Sequence, residues 1–187
     1  MITNIPCVIL SGGKSRRMGE DKSLLAFSSN LNIIQYQYHR LSKIFSSTYI
    51  SSKVDKFNFK ASIILDFNDI YSPMVALYSI LKQFDDKVFI ITVDNPFITQ
   101  NTIEKLINNS SNHDITIANT PLKMHSLCGI FSVKLLKQIK INLNNNMHKI
   151  GYLIKNNSTK IIDFEYEDEF LNINTQKDYQ EALKFLK

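Results

Sequence analysis

The sequence is short of the residues that mark several classes of protein. Glycine and proline are scarce, five and four among 187 residues, which excludes a linker, a low-complexity chain or a disordered tail. The only cysteines, Cys7 and Cys128, sit in apolar, strand-like contexts outside any C-x-x-C or metal-ligand spacing, so they read as buried thiols. His39, His113, His125 and His148 are scattered, which leaves no Cys-His cluster for zinc. No serine or cysteine nucleophile motif is present. No apolar run approaches the roughly 20 residues that cross a bilayer, and the N-terminus lacks a charged segment followed by an apolar one and a cleavage site. These absences predict a cytoplasmic protein without a membrane segment. With no internal repeat and no linker, residues 1–187 read as a single domain.

What is present is concentrated at the N-terminus. The apolar run Cys7-Val8-Ile9-Leu10 empties into Ser11-Gly12-Gly13-Lys14-Ser15-Arg16-Arg17-Met18-Gly19-Glu20-Asp21-Lys22. A buried strand followed by a glycine-rich cationic loop lets backbone N–H groups and ammonium or guanidinium groups approach a polyanion, and phosphate fits best. A Walker A loop would need glycine at position 8, where Val8 stands inside the strand. The dinucleotide fingerprint fails because Gly12 and Gly13 are adjacent. The net charge of +5 favours anionic ligands and leaves nucleotide, nucleic acid and acidic cofactor open.

Along the rest of the chain strands alternate with helices. Ser23 to Phe27 is mixed. Ile34, Tyr38, Leu41 and Phe45 lie at helical spacing, with Arg40 and Lys43 among the polar positions. Tyr49–Ser52 and Ala61–Leu65 read as strands, the second ending at Asp66. Ser72 and Pro73 open a helix to Phe84. The β-branched run Lys87–Val93 has the pattern of a central parallel strand covered on both faces, and it stops at Asp94. A helix follows from Asn101 to Asn108 under a Thr99 cap, then strands at Ile115–Ala118 and Leu127–Ser132 flanking a loop at 119–126. Helices at 133–141 and 150–155, a strand at 160–164, an extended piece at 171–174 and a Thr175-capped helix at 176–186 complete the chain. This order predicts a three-layer α/β fold with a mostly parallel sheet, whose ligands sit outside the carboxyl ends of the strands. The glycine loop, Asp66 and Asp94 then share one rim. Asp94 suits a hard divalent cation beside phosphate, although an Asp there is also good turn chemistry before Thr99, and Asp66 reads equally as a turn residue or a ligand. His125 reads as a satisfied or exposed histidine rather than a catalyst.

Leu10-Ser11-Gly12-Gly13-Lys14-Ser15-Arg16-Arg17-Met18-Gly19 with Asp21-Lys22 resembles the signature loop of the nucleotidyltransferases, in the form used by the molybdenum cofactor guanylyltransferases. Asp66 after a strand, Ser72-Pro73-Met74, Asp94-x-Pro96, His125 and the run Phe170 to Thr175 follow in the same order, so the likeness covers nearly the whole chain. It implies a three-layer α/β/α, Rossmann-like nucleotidyltransferase fold. It also implies transfer of GMP from GTP to the terminal phosphate of molybdopterin, with release of pyrophosphate and with Mg2+ as cofactor. By that resemblance Lys22, Arg16 and Asp94 are catalytic, and Leu10, Ser11, Gly12, Gly13, Lys22, Ser51, Asp66 and Asp94 bind the nucleotide. Asp94 and Asn174 hold the metal. Partners implied are GTP, molybdopterin with or without molybdenum, and cofactor biosynthesis or acceptor proteins, with no nucleic acid and no membrane. The chain departs from the family pattern at Ser72 and Ala76, where two glycines usually stand, which opens the choice of base. The alternatives are a cytidylyl- or sugar-nucleotidyltransferase of the same fold, or a non-catalytic nucleotide-binding module.

Overall fold

The computed structural model describes residues 3–13, 19–165 and 167–186. Lys14, Arg16 and Arg17 lie outside them. In chain order the strands are β1 (Cys7–Leu10), β2 (Ala26–Ser28), β3 (Leu31–Asn32), β4 (Thr48–Ser52), β5 (Ser62–Leu65), β6 (Lys87–Thr92), β7 (Ile115–Asn119), β8 (Met124–Ser132) and β9 (Thr159–Asp163). The helices are α1 (Ile33–Leu41), α2 (Pro73–Leu81), α3 (Gln100–Asn108), α4 (Leu136–Asn144), α5 (Ile150–Lys155) and α6 (Gln176–Lys184).

Seven strands form one sheet in the order β5-β4-β1-β6-β8-β7-β9. β8 runs antiparallel to β6 and β7, and every other pair in this sheet is parallel. The sheet is therefore mostly parallel as expected, but β6 is parallel only along its β1 edge; its β8 edge is antiparallel. The strand pattern could not reveal this, because a run buried on both faces reads the same whichever way its neighbour points.

Alternation along the central strands feeds two cores. Cys7, Ile9, Phe89 and Ile91 point to one face, with Ile34 and Leu41 of α1, Ile103 and Leu106 of α3 and Ala182 of α6. Val8, Leu10, Val88 and Ile90 point to the other, with Leu77 and Ile80 of α2, Ile139 of α4 and Leu153 of α5. Helices on both faces of a parallel sheet make the three-layer α/β architecture. Burial pushes both thiols upward, Cys128 to about 12 and Cys7 further, so both stay protonated and serve as packing.

Several local expectations are corrected. The segment read as mixed after Lys22 is a small hairpin, β2–β3, closed by Ser29 and Asn30 at positive φ (46° and 66°). Two positive φ values define the tight hairpin turn, and the usual Asn-Gly signal is replaced by Ser-Asn. The loop 119–126 shrinks to a turn, since β8 begins at Met124 and Ala118 pairs with His125. The extended piece near 172 joins no strand. Arg40 is no surface residue: its Nη1 donates to the Ile98 carbonyl at 2.5 Å, while Nε and Nη2 are buried without a protein partner among the described residues. Burial holds its guanidinium below its usual value.

Gly129 is the one glycine of β8, and a Cβ there would lie 2.0 Å from the Thr116 carbonyl oxygen of β7. Next to it the register shifts between Ile117 and Ala118, as expected where backbones approach closely. Gly129→Ala must push two central strands apart, and we expect a loss of about 2–3 kcal/mol, read from the urea midpoint at unchanged m-value.

Candidate active site

The chain leaves β1 for β4 on one side and returns through α2 to β6 on the other, so the order reverses between β1 and β6. Loops leaving the carboxyl ends of these two strands diverge and open a crevice. A cavity of about 500 Å³ lies there, walled by Leu10, Gly12, Gly13, Lys22, Asp66 and Asp94 with Lys53, Tyr71, Ser72, Ala76 and Leu127. Its size suits a small-molecule ligand. A second cavity of about 570 Å³ shares Gly12, Gly13, Lys53 and Tyr71 with it.

Asp94 follows β6 in a turn fixed from three sides. Gln37 of α1, wholly buried, donates to the carbonyls of Thr92 and Asn95 at 3.2 and 3.1 Å. Asn95 Nδ2 reaches the Phe170 carbonyl at 3.4 Å. The Ile173 N–H donates to the Asp94 carbonyl at 2.9 Å, and the Thr92 hydroxyl donates to Asp94 Oδ1. Gln37 occupies a position of the apolar stripe Ile33, Gln37, Leu41; a lone amide there is the signal that the helix stabilises a polar turn.

Lys22 approaches from the other side of the crevice. It opens a short 3-10 turn, Lys22–Leu24, capped by Asp21, whose carboxylate accepts from the Ser23 N–H and hydroxyl. The Lys22 ammonium donates to Asp94 Oδ2 at 3.0 Å, to the Ile173 carbonyl at 3.1 Å and to Asn174 Oδ1 at 3.1 Å. Residues 72 and 152 positions apart thus meet on one nitrogen. Asn172 instead donates to the Phe170 carbonyl at 3.2 Å within its own turn.

Two further lysines, both missed in the sequence, repeat the arrangement. Lys53 pairs with Asp66 Oδ2 at 2.7 Å and also donates to the carbonyls of Asn68 and Ile70, with its ammonium 5.4 Å from the centre of the Tyr71 ring. Lys56 pairs with Asp21 and donates to the Ser11 carbonyl at 3.2 Å. Partial burial pushes Asp21 upward, but the hydrogen bonds from Lys56 and Ser23 together with the Lys56 charge outweigh it and leave Asp21 below its usual value. Their only signal in the sequence is position, just past the carboxyl end of β4.

Ser11 and Ser51 stand behind the wall: both are buried, Ser11 N–H donates to the Ser51 carbonyl at 2.8 Å, and the Ser51 hydroxyl lies 3.5 Å from Asp66 Oδ1. Ser72 does not fill the crevice as its side chain suggests it could. Its hydroxyl oxygen caps α2 by accepting from the N–H of Met74 and Val75, and it meets His148 Nδ1 at 3.0 Å. Asp94 does not cap α3. Thr99 does so, as expected, its hydroxyl oxygen accepting from the Thr102 N–H at 3.3 Å, and Glu169 braces this cap by accepting from Thr99 N–H at 2.8 Å and from the Thr102 hydroxyl at 2.7 Å. His125 is buried against Phe170 with Nε2 3.2 Å from the Thr120 hydroxyl, a satisfied histidine.

Residues 7–158 match the family described as MobA-like NTP transferase domain. The chain belongs to that family. A molybdenum cofactor guanylyltransferase of Campylobacter jejuni subsp. doylei is 43% identical over 190 residues, covering 100% of this chain and 99% of its own. One of Helicobacter pylori is 33% identical over 194 residues, covering 100% and 96%. The crystal structure of molybdopterin-guanine dinucleotide biosynthesis protein A from Archaeoglobus fulgidus superposes with a TM-score of 0.84 at 17% identity, over 97% of this chain and 98% of that one. The mostly parallel sheet with helices on both faces is thus the fold of MobA-like transferases.

Two measurements test this geometry. Lys53→Met leaves the Asp66 carboxylate, with a side chain only 3% exposed, without its cation; we expect a loss of about 3 kcal/mol, largely restored by adding Asp66→Asn. His125 is held down to about 4 by burial first and by the Lys123 charge second. The unfolded chain takes up this proton near 6.5 and the folded chain only near 4. Stability from His125 is therefore complete above about 6.5 and falls across that window, by at most about 1.4 kcal/mol per pH unit. His125→Gln flattens the urea midpoint between pH 6.5 and 4.

Proposed function

We propose that the chain works as one nucleotidyltransferase domain over residues 1–187, a cytoplasmic enzyme that transfers GMP from GTP to the terminal phosphate of molybdopterin and releases pyrophosphate. The observation that carries this reading is the meeting of Lys22, Asp94 and Asn174 at one point beside Gly12 and Gly13, in a chain 43% identical along its length to a protein named molybdenum cofactor guanylyltransferase.

In this reading a phosphate oxygen of molybdopterin attacks the α-phosphorus of GTP in line, and the bond to the pyrophosphate oxygen breaks. The backbone of Gly12 and Gly13, with open space within 4 Å of where a Cβ at Gly13 would lie, carries the triphosphate. Lys22 supplies a cation where charge grows on the leaving group, and Arg16, outside the described residues, adds a guanidinium. Asp66 faces the base: Oδ2 is taken by Lys53, and Oδ1, approached among the described residues only by Ser51 at 3.5 Å, is left to accept from the N–H edge of guanine. Leu10 and Ala76 line the same wall.

Among the described residues no three His, Cys, Asp or Glu side chains converge. The oxygen set of Asp94, Asn174 and the Ile173 carbonyl nonetheless fits Mg2+, which takes few protein oxygens when substrate phosphates supply the rest. Bound there on Asp94 and Asn174, Mg2+ would neutralise charge between the α-phosphate and the leaving pyrophosphate.

GTP with Mg2+ should raise the melting temperature where CTP and UTP do not; equal protection by all three would remove guanine from the assignment and favour a relative with another base. Lys22→Ala and Asp94→Ala should each lower pyrophosphate release by about 10²–10³-fold with the fold retained by circular dichroism. Full activity in both variants would overturn the roles given to Lys22 and Asp94, and absence of pyrophosphate release by the unaltered chain would leave only a nucleotide-binding module.

A further inference from the structure

Lys22 does not project into the crevice to wait for phosphate. Its ammonium sits among three oxygens, Asp94 Oδ2, the Ile173 carbonyl and Asn174 Oδ1, at 3.0, 3.1 and 3.1 Å. These are the hard donors that suit a divalent cation, grouped around one point as they would be around a metal. We propose that Lys22 is the resident cation of this position in the nucleotide-free enzyme, and that a divalent metal binds there tightly only once a nucleotide has drawn Lys22 away. The inference rests on the assignment of the metal to Asp94 and Asn174.

An ammonium and a divalent ion cannot share these oxygens. Mg2+ binds oxygen at about 2.0–2.1 Å, so the ligands must close in by about 1 Å on a point the ammonium holds, and two cations would lie in contact. Displacement costs the lysine its contacts to a carboxylate that is only 19% exposed. A triphosphate in the cavity offers the ammonium another anion, and the move needs only the side chain. The backbone at Lys22 is anchored on both sides: Asp21 is held by Ser23 and Lys56, and the Leu25 N–H donates to the Lys22 carbonyl. Nucleotide and metal then favour one another by linkage, and each raises the affinity for the other by the same factor. The arrangement also explains why Asn174 lies on a strandless segment whose N–H groups are tied down by other residues. The Ile173 N–H is fixed to the Asp94 backbone and the Asn174 N–H to Asp178 Oδ2, so the oxygens keep their places while the cation is exchanged.

The test uses Mn2+ titrated into the nucleotide-free full chain, with the free Mn2+ signal followed by electron paramagnetic resonance. If Lys22 holds the position at least nine-tenths of the time, the apparent metal affinity is reduced about tenfold or more. Lys22→Met and Lys22→Gln should each tighten Mn2+ binding by that factor, the second variant guarding against a local collapse in the first. Adding Asp94→Asn to either should abolish the gain. Lys53→Met removes the same charge from the same cavity wall and should change Mn2+ affinity by no more than about twofold. Equal affinity in the wild type and the Lys22 variants, or an equal gain in Lys53→Met, overturns the proposal. None of these titrations contains nucleotide or pterin, so they stand apart from the assigned reaction: GTP-specific protection with unchanged Mn2+ binding rejects the resident lysine and keeps the reaction.

Discussion

A carboxylate at the end of a buried central strand must be compensated, and in this chain the compensation of Asp94 organises the site. β6 runs through the centre of the sheet with four consecutive residues buried, then delivers Asp94 into the crevice where strand order reverses. The Lys22 ammonium answers it at 3.0 Å, and the same nitrogen gathers the Ile173 carbonyl and Asn174. The glycine loop, the central strand and the C-terminal segment are thereby joined through one charge. Lys53 with Asp66 and Lys56 with Asp21 follow the same rule around the loop. A crevice that must accept a polyanion holds its cations in place with carboxylates, so that the unliganded site is neither strongly repulsive to itself nor collapsed.

How much of this was legible in the sequence depends on the range of the interaction. The strand Cys7–Leu10, the Ser72–Pro73 helix start and the Thr175 cap were readable because each is a local pattern, and the helix 150–155 matches in both bounds. The rim shared by Gly12, Asp66 and Asp94 was also readable, since any residue after a parallel strand lies at the same edge. The direction of β8 was not, because hydrophobic runs carry no sign. Nor were Lys53, Lys56 and Gln37. A lysine past a strand end looks like solvent-facing charge, and its partner is fixed only once loops far apart in sequence have been brought together. Arg40 shows the converse: a polar residue at a helical position is read as exposed, yet here its guanidinium turns inward to the Ile98 carbonyl with two of its nitrogens buried.

Ser72 illustrates how a departure from a family pattern need not change the shape of a site. Glycine at that place leaves space; serine would fill it if its side chain faced the crevice. Here the hydroxyl turns back to accept from two helix N–H groups and to meet His148, which stabilises α2 by a cap that glycine supplies only weakly. Ala76, one turn further along α2, has no such option and lines the wall with its methyl group.

The family match ends at residue 158, whereas the oxygens that surround Lys22 come in part from Ile173 and Asn174, and Glu169 closes the start of α3. The boundary of the family match therefore cuts through the site, while the likeness to the guanylyltransferase of Campylobacter jejuni subsp. doylei runs across it. On the ribosome the glycine loop and Asp94 are made long before the segment that completes their surroundings. The cavity wall can form early, but the oxygens that balance the Lys22 charge are complete only after Ile173 and Asn174 have been made.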